Sequence, residues 1–173
     1  MKYLNKFDFF KKRQIKSWLD HCKVKNYTIN DDLSIDVDGS VDISLVFKNK
    51  KNEIPFKFRN ITGDFNCEQN GLTSLKNCPD YVGGDFLCCN NKLESLEFCP
   101  KAINGNFFCY NNKIKSLKYC PKTLNGGLFG SNNQLESLKD IDFIGGVLDI
   151  NDNNISEFKY FPKGYTSVRC LSN

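Results

Sequence analysis

Residues 84–96 read Gly-Asp-Phe-Leu-Cys-Cys-Asn-Asn-Lys-Leu-Glu-Ser-Leu, and closely similar stretches stand at 63–75 and 105–117. Two more divergent copies occupy 126–138 and 146–158. A period of about 21 residues is typical of a solenoid, in which each unit buries its apolar face only against its neighbours. The sequence therefore predicts one continuous core that runs through stacked units.

The chain of 173 residues is long enough for a sizeable core, and we expect a single structural domain with three regions. Residues 1–62 are assigned to an N-terminal cap of helix, strands and a divergent first coil. Residues 63–158 form the repeats, and 159–173 a C-terminal cap. We recognise no secretory signal and no stretch of about 18 apolar residues, which predicts a soluble intracellular protein.

Cysteine usage is unusual, because six of the nine cysteines recur at one spacing. These six are Cys67, Cys78, Cys88, Cys99, Cys109 and Cys120. The pattern predicts small core residues in a reducing cytosol rather than disulfides. The tight Cys-x2-Cys pairs of zinc sites are missing, and the single histidine, His21, lies outside the repeats. We therefore expect no metal, no cofactor and no enzymatic activity.

The formal net charge of +4 is unevenly distributed. Residues 1–25 carry eight Lys or Arg and two Asp, a net charge of +6, which leaves −2 for the remainder of the chain. A protein that holds nucleic acid along its repeats needs cations along them to neutralise successive phosphates. The charge distribution argues against that function for the repeats.

Apolar residues recur at helical spacing between Asp8 and Cys22, which predicts an N-terminal amphipathic helix. Its apolar stripe is assigned to Phe10, Ile15, Trp18, Leu19 and Cys22. Basic side chains surround the stripe: Lys11, Lys12, Arg13 and Lys16. We interpret the helix as a cap that closes one end of the solenoid. The alternative is that the four basic residues contact nucleic acid or an acidic partner.

Residues 27–43 alternate between apolar side chains and Ser or Asp, which is the period of half-buried strands. Turns are predicted at 30–32 and 38–39. The alternation explains the aspartates, and the terminal Glu of an EF-hand loop is missing. Calcium binding is therefore not expected.

Within each repeat, the Phe after Gly-Asp and the Cys two residues later are predicted to point from a short strand into the core. The Asn three residues beyond that Cys is expected to turn the chain and to satisfy backbone groups of the adjoining coil. These asparagines are Asn70, Asn91, Asn112 and Asn133. About ten residues remain for the return, which predicts irregular or 3-10 backbone on the convex side.

The string Phe-x-Cys-x-x-Asn-x-Leu-x-x-Leu resembles the leucine-rich repeat of the short bacterial type, with Cys in a leucine position. More narrowly, Gly-Asp-Phe-x-Cys, Leu-x-Ser-Leu-x-x-Cys-Pro and segment 26–43 look like repeat proteins commonly encoded by tailed bacteriophages. The resemblance implies a mainly β leucine-rich repeat solenoid with an N-terminal helix and hairpin cap, acting in the host cytoplasm. It supplies no substrate. Residues 45–52 depart from that family, so the register of the first coil stays open.

Period two also places three columns of side chains on the concave face of the repeat sheet. There Leu87, Phe108, Tyr110 and Phe129 would stand together in water with no core behind them. Acidic and amide side chains surround them, a composition typical of a protein-binding site. The predicted protein-binding residues are Asp64, Asn66, Glu68, Asp85, Leu87, Asn106, Phe108, Tyr110 and Phe129.

The resulting hypothesis is a non-enzymatic binding module that holds a host or viral protein on its concave face. The phage-like setting favours inhibition of a host antiviral defence protein, although a fold does not by itself define a function. One alternative is nucleic-acid binding through the basic helix, and another is a self-assembling structural subunit. Coverage of the apolar side chains by the chain's own termini or by a second copy also stays open. No membrane association is expected.

Overall fold

The computed structural model describes residues 6–47, 53–156 and 159–170. It is mainly β, with one N-terminal helix, α1 (Lys6–His21), in the described part of the chain. The strands, in chain order, are β1 (Tyr27–Ile29), β2 (Ile35–Val37), β3 (Val41–Asp42), β4 (Phe58–Ile61), β5 (Phe65–Asn66), β6 (Tyr81–Val82), β7 (Phe86–Leu87), β8 (Ala102–Ile103), β9 (Phe107–Phe108), β10 (Thr123–Leu124), β11 (Leu128–Phe129), β12 (Phe143–Ile144), β13 (Val147–Asp149) and β14 (Ser167–Arg169).

The strands stack into two main sheets. The long sheet has seven parallel strands in the order β14-β13-β11-β9-β7-β5-β3. The short sheet has the order β1-β2-β4-β6-β8, and β10 pairs with β12 in a separate parallel ladder. Phe65 pairs with Phe86, and Phe86 pairs with Phe107, so the middle coils repeat every 21 residues. The spacing is 24 residues between β3 and β5 and 20 residues between β11 and β13. The chain therefore forms a β solenoid with an N-terminal helical cap, as predicted.

Strands also form on the return side of the coil, where the sequence indicated only irregular or 3-10 backbone. Strands β6 and β8 lie just before the corners that lead into β7 and β9. Each is two residues long and buries one side chain, Val82 or Ile103. Such short strands leave no period-two pattern to recognise. Between the end of β7 and the start of β8 the backbone is irregular.

Glycine is required at the corner between the two strands of a coil, because neighbouring coils approach closely there. A Cβ atom on Gly105 would lie 2.6 Å from the carbonyl carbon of Gly84. No real side chain tolerates that distance. The contact explains why the repeat begins with Gly.

The core consists of rows of identical or similar side chains, one from each coil. Phe65, Phe86 and Phe107 are fully buried, and their ring centroids are 6.1 and 5.5 Å apart. The cysteines two residues later and the leucines that follow are buried too, as predicted. Burial of such a side chain contributes roughly 1.5–3 kcal/mol relative to exposure. Because each row runs from coil to coil, most of this stabilisation comes from contacts between neighbouring coils.

The asparagines at the ends of the long-sheet strands satisfy the backbone of the adjoining coil, as predicted. The side-chain amide of Asn91 donates to the carbonyl oxygens of Cys67 and Cys88 at 3.1 and 3.0 Å. Its Oδ1 atom accepts the N–H groups of Asn70 and Leu72 at 3.1 and 2.9 Å. Similar bonds recur in the later coils at Asn112, Asn133 and Asn153.

A turn on the return side of the coil adopts left-handed backbone. In one coil it is occupied by Asn77, with φ of 71°. In the next two coils Phe98 and Tyr119 take the same position, with φ of 68° and 75°. Asn tolerates this conformation, whereas a larger residue costs about 1–2 kcal/mol. Both aromatic side chains are about half exposed, at 51% and 52%.

Helix α1 covers the N-terminal end of the solenoid. Ile15 and Leu19 are buried, and the Trp18 ring packs on Phe58 with centroids 6.0 Å apart. The prediction was wrong for Phe10, which is 62% exposed. Phe10 and Leu19 are nine residues apart, which at 3.6 residues per turn places them on opposite sides of the helix.

The predicted hairpin forms from β1 and β2, with Ile35 and Val37 buried. Strands β2 and β3 also stack in parallel on β4 and β5, so both sheets begin within the segment assigned to the cap. The side chain of Asp36 accepts a 3.0 Å hydrogen bond from Arg59 Nε. The part of the divergent first coil at 48–52 lies outside the described residues.

The described tail continues the solenoid. Strand β14 pairs in parallel with β13, which places Val168 in register with the core row. Phe161 packs against the core, and Pro162 is buried. Phe158 and residues 171–173, which the sequence assigned to the repeats and the closing cap, lie outside the described residues.

All nine cysteines are free thiols. Seven of them are buried, including the six that recur through the repeats. Across the three described ranges, no helix combines the length and the apolar character that crossing a bilayer requires.

Candidate functional site

Three columns of side chains project from the outer face of the long sheet, the side turned away from the core. The central column contains Asn66, Leu87, Phe108 and Phe129, which pair in register across β5, β7, β9 and β11. Tyr110 lies in a flanking column, two residues beyond Phe108. We call Leu87, Phe108, Tyr110 and Phe129 the apolar patch.

The two phenylalanines of the apolar patch stack on each other. The ring centroids of Phe108 and Phe129 are 4.6 Å apart, and the ring planes differ by 13°. The sequence placed the patch in water, whereas all four of its side chains are half-buried. The reason is that parallel strands about 4.8 Å apart bring rings of successive coils into contact. Such a pair contributes about 0.5–1.5 kcal/mol beyond the area that it buries.

Gly127 makes room for the ring of Phe129. A Cβ atom at this position would lie 3.0 Å from Cε2 of Phe129 and 2.7 Å from the carbonyl oxygen of Val147. The ring therefore extends over the backbone of the flanking column. The preceding coils have Asp or Asn at the equivalent position, so this coil departs from the repeat where the ring needs space.

Tyr110 is held by a neighbouring thiol. The Cys89 Sγ atom donates to Glu68 Oε2 at 3.2 Å, and a hydrogen bond with Cys89, together with burial, raises the pKa of Tyr110 to about 12. Burial raises the pKa of Cys89 to about 12 as well. Cys89 belongs to the same outward column as Glu68 and Tyr110, and yet it is fully buried between these two larger neighbours. The uncharged thiol of Cys89 therefore links Tyr110 of the apolar patch to Glu68.

The predicted residues of the other flanking column bond to the backbone of the next coil. Asp64 Oδ1 accepts the N–H of Asp85 at 2.8 Å, and Asp85 Oδ1 accepts the N–H of Asn106 at 2.6 Å. Asn106 Oδ1 accepts the N–H of Gly127 at 2.8 Å. These side chains have a structural function that the sequence analysis did not recognise. Asp and Asn can both occupy this column, since either supplies the accepting oxygen.

Polar residues lie at both ends of the central column. Asn66 accepts the N–H of Glu68 at 3.0 Å, a local turn that fixes its orientation. At the other end, Asp149 lies next to Arg169 of β14, with a 3.8 Å ion pair between them. Arg169 was missed because the sequence analysis treated residues 159–173 as a cap rather than as a further coil.

The four basic residues of the alternative site lie on α1 with different surroundings. Lys12 is within 3.7 Å of Asp31, and Lys11 lies over the Phe7 ring at 5.7 Å. Arg13 and Lys16 are exposed, and Arg13 lines a groove of about 770 Å³ along the helix. Phe9 and Phe10 are exposed beside them, at 66% and 62%, which the sequence analysis did not foresee.

Three of the buried core thiols are poorly suited to nucleophilic chemistry. Burial raises the pKa of Cys88 and of Cys109 well above the usual range, and a hydrogen bond with Cys78 together with burial does so for Cys67. A thiol becomes reactive when its pKa is lowered. Within the described part of the chain, no group of three or more His, Cys, Asp or Glu side chains is arranged to hold a metal ion.

Searches against protein-family models, curated proteins and solved structures found no match to this chain.

Proposed function

We propose that the protein is a non-enzymatic binding module that holds another protein on the outer face of the long sheet. The observation that carries the proposal is the stacked pair of Phe108 and Phe129. Their side chains point away from the core. Each ring is positioned by its contact with the other, and the ring of Phe129 lies over Gly127. Aromatic side chains in such an arrangement lose little conformational entropy on binding.

The size of the expected effect follows from the burial. The four side chains of the apolar patch are half-buried, so a partner removes only their remaining exposed surface from water. Aromatic anchors at the centre of an interface still contribute on the order of 2 kcal/mol or more each. Loss of both rings is therefore expected to weaken binding by at least about a hundredfold.

The partner that we favour is a host protein, and the expected consequence is its inhibition. The support is the sequence resemblance to leucine-rich repeat proteins of tailed bacteriophages, together with the fixed apolar patch. In that setting the protein acts in the host cytoplasm. The raised pKa values of Cys88 and Cys109 argue against nucleophilic chemistry at these two thiols.

Nucleic-acid binding through α1 is the second candidate. The exposed side chains of Arg13 and Lys16, next to exposed Phe9 and Phe10, support it, since nucleic-acid sites combine cations with stacking rings. Such binding weakens steeply as the salt concentration rises. A fluorescent single-stranded DNA titrated at two salt concentrations, with the wild type beside Arg13→Ala with Lys16→Ala, tests this candidate.

The experiment for the main proposal is affinity capture from host-cell lysate, read by mass spectrometry. Wild type is compared with Phe108→Ser combined with Phe129→Ser, and with a matched control, Phe98→Ser combined with Tyr119→Ser. We expect a protein that the wild type and the control retain and that the Phe108 and Phe129 variant loses. Circular dichroism must show that the variant is folded. Unfolding of the variant would mean that the rings belong to the core, and an oligomeric wild type without a differential partner would favour self-assembly.

A further inference from the structure

Charge on the outer face of the long sheet differs in sign from that of the chain as a whole. The outward columns of this sheet, all within the described residues, contain a single cation, Arg169, which pairs with Asp149 at 3.8 Å. The same columns contain five carboxylates: Asp42, Asp64, Glu68, Asp85 and Asp149. The formal net charge of the chain is nevertheless +4. The apolar patch therefore lies in a negative field that the rest of the molecule does not share.

We propose that the segment bound by the apolar patch is cationic, a stretch of a partner protein in which Arg or Lys alternates with apolar side chains. The inference rests on the function proposed above and specifies the chemistry of the partner. Complementary charge selects the correct partner and speeds association, whereas an acidic segment or a phosphate backbone is repelled by the same face. The apolar side chains of the segment cover the rings, and its cations meet the carboxylates.

The geometry suits arginine in particular. Asp85 lies two residues before Leu87 in the same coil, and Phe108 lies in the next strand, about 4.8 Å away. A guanidinium is planar and carries donors along its edge, so an arginine can bond to the carboxylate while its side chain contacts the apolar patch. Lysine supplies the charge but not the planar set of donors. We therefore expect arginine to bind more tightly than lysine.

The carboxylates are held in place before the partner arrives. Asp64 and Asp85 each use Oδ1 to accept a backbone N–H of the next coil, and Glu68 accepts the Cys89 thiol through Oε2. The second oxygen of each carboxylate takes no part in these bonds. An acceptor that is already oriented costs little entropy to use, which favours a specific contact over diffuse attraction.

The repeat itself supplies a substitution that removes charge without removing the structural bond. Asn106 occupies the position of Asp64 and Asp85 one coil later and accepts the N–H of Gly127 through its Oδ1. Asp64→Asn with Asp85→Asn should therefore fold. A matched control removes two carboxylates from exposed sites away from this face, Glu136→Gln with Asp142→Asn.

The test is a titration of the full chain against two fluorescein-labelled peptides, read by anisotropy. One peptide consists of four Arg-Phe units and the other of four Glu-Phe units. We expect the wild type and the control to bind the arginine peptide at least about tenfold more tightly. The Asp64 and Asp85 variant should lose most of that preference, and Phe108→Ser with Phe129→Ser should weaken binding of the arginine peptide. Equal binding of the two peptides, or a preference that the Asp64 and Asp85 variant keeps, overturns the inference.

Failure of this inference and failure of the proposed function give different results with a captured partner. If the Phe108 and Phe129 variant loses the partner and the Asp64 and Asp85 variant keeps it, the proposed binding face is supported. The preference for a cationic segment is then refuted. If the Phe108 and Phe129 variant keeps the partner, the proposed function itself is wrong. A wild type that sediments as a dimer, and that the same aromatic substitutions convert to a monomer, would show that a second copy covers the patch and would overturn the inference too.

Discussion

Replacing Asn91 by Ala should destabilise the solenoid, because the side chain of Asn91 bonds to backbone groups of its own coil and of the preceding one. The side chain bonds to carbonyl oxygens that also have other donors: Asn70 Nδ2 reaches the Cys67 oxygen, and Asn112 Nδ2 reaches that of Cys88. Its Oδ1, in contrast, accepts the N–H groups of Asn70 and Leu72. Within the described residues, these two N–H groups have no other backbone acceptor.

The magnitude follows from those two N–H groups. A buried donor that loses its acceptor costs about 1–3 kcal/mol. Both groups are partly buried, so we expect about 3 kcal/mol for the pair. Asn104→Ala is the matched control, since Asn104 is exposed and its side chain donates to the Tyr81 hydroxyl at 2.8 Å. That change should cost less than about 1 kcal/mol.

The assay is urea denaturation followed by circular dichroism, with both variants beside the wild type. Repeat proteins can unfold in parts, so the comparison requires a single transition of unchanged slope. A free energy of unfolding for Asn91→Ala that matches Asn104→Ala would refute the claim that the asparagine ladder satisfies the backbone between coils.

Three further changes test other parts of the account. Phe98→Asn should stabilise the fold by about 0.5–1 kcal/mol in urea denaturation, because it places in left-handed backbone the residue that Asn77 already supplies there. Iodoacetamide at pH 8 should label Cys88 at under about 1% of its rate in the urea-unfolded chain, as measured by mass spectrometry, because burial raises the pKa of this thiol. The hydrogen bond from Arg59 lowers the pKa of Asp36 in the folded state, so its contribution is present above the unfolded pKa of about 3.9 and is lost as the pH falls through the folded pKa. Asp36→Asn should therefore lower the thermal midpoint at pH 7 and reduce its decline in acid.

The repeat made the core predictable. A fixed spacing of Phe, Cys, Asn and Leu defined which side chains point inward, and Phe86, Leu93 and Leu96 are buried as expected. The solenoid followed from that spacing, and the helical cap followed from the separate helical spacing of apolar residues between Asp8 and Cys22. The helix stripe was only partly predicted, because Phe10 suits a core in composition but lies on the opposite side of α1 from Leu19.

The outer face was harder to predict, because its side chains interact between coils rather than along the chain. Residues 21 apart stack on one another, so Phe108 and Phe129 bury each other, and Cys89 lies buried between Glu68 and Tyr110. The bonds from Asp64 to the next coil also depend on three-dimensional register. Aligning the repeats indicates which side chains share a face of the sheet. It does not indicate which of them are already bonded to, or packed against, a neighbouring coil.

The most direct measurement for the binding face is hydroxyl-radical footprinting of the protein with and without its captured partner. We expect the partner to lower oxidation of Phe108, Tyr110 and Phe129. Oxidation of Phe98 and Tyr119, which are exposed away from the outer face of the long sheet, should not change. Protection confined to α1, or oxidation of the apolar patch that the partner does not alter, would contradict the proposed binding face.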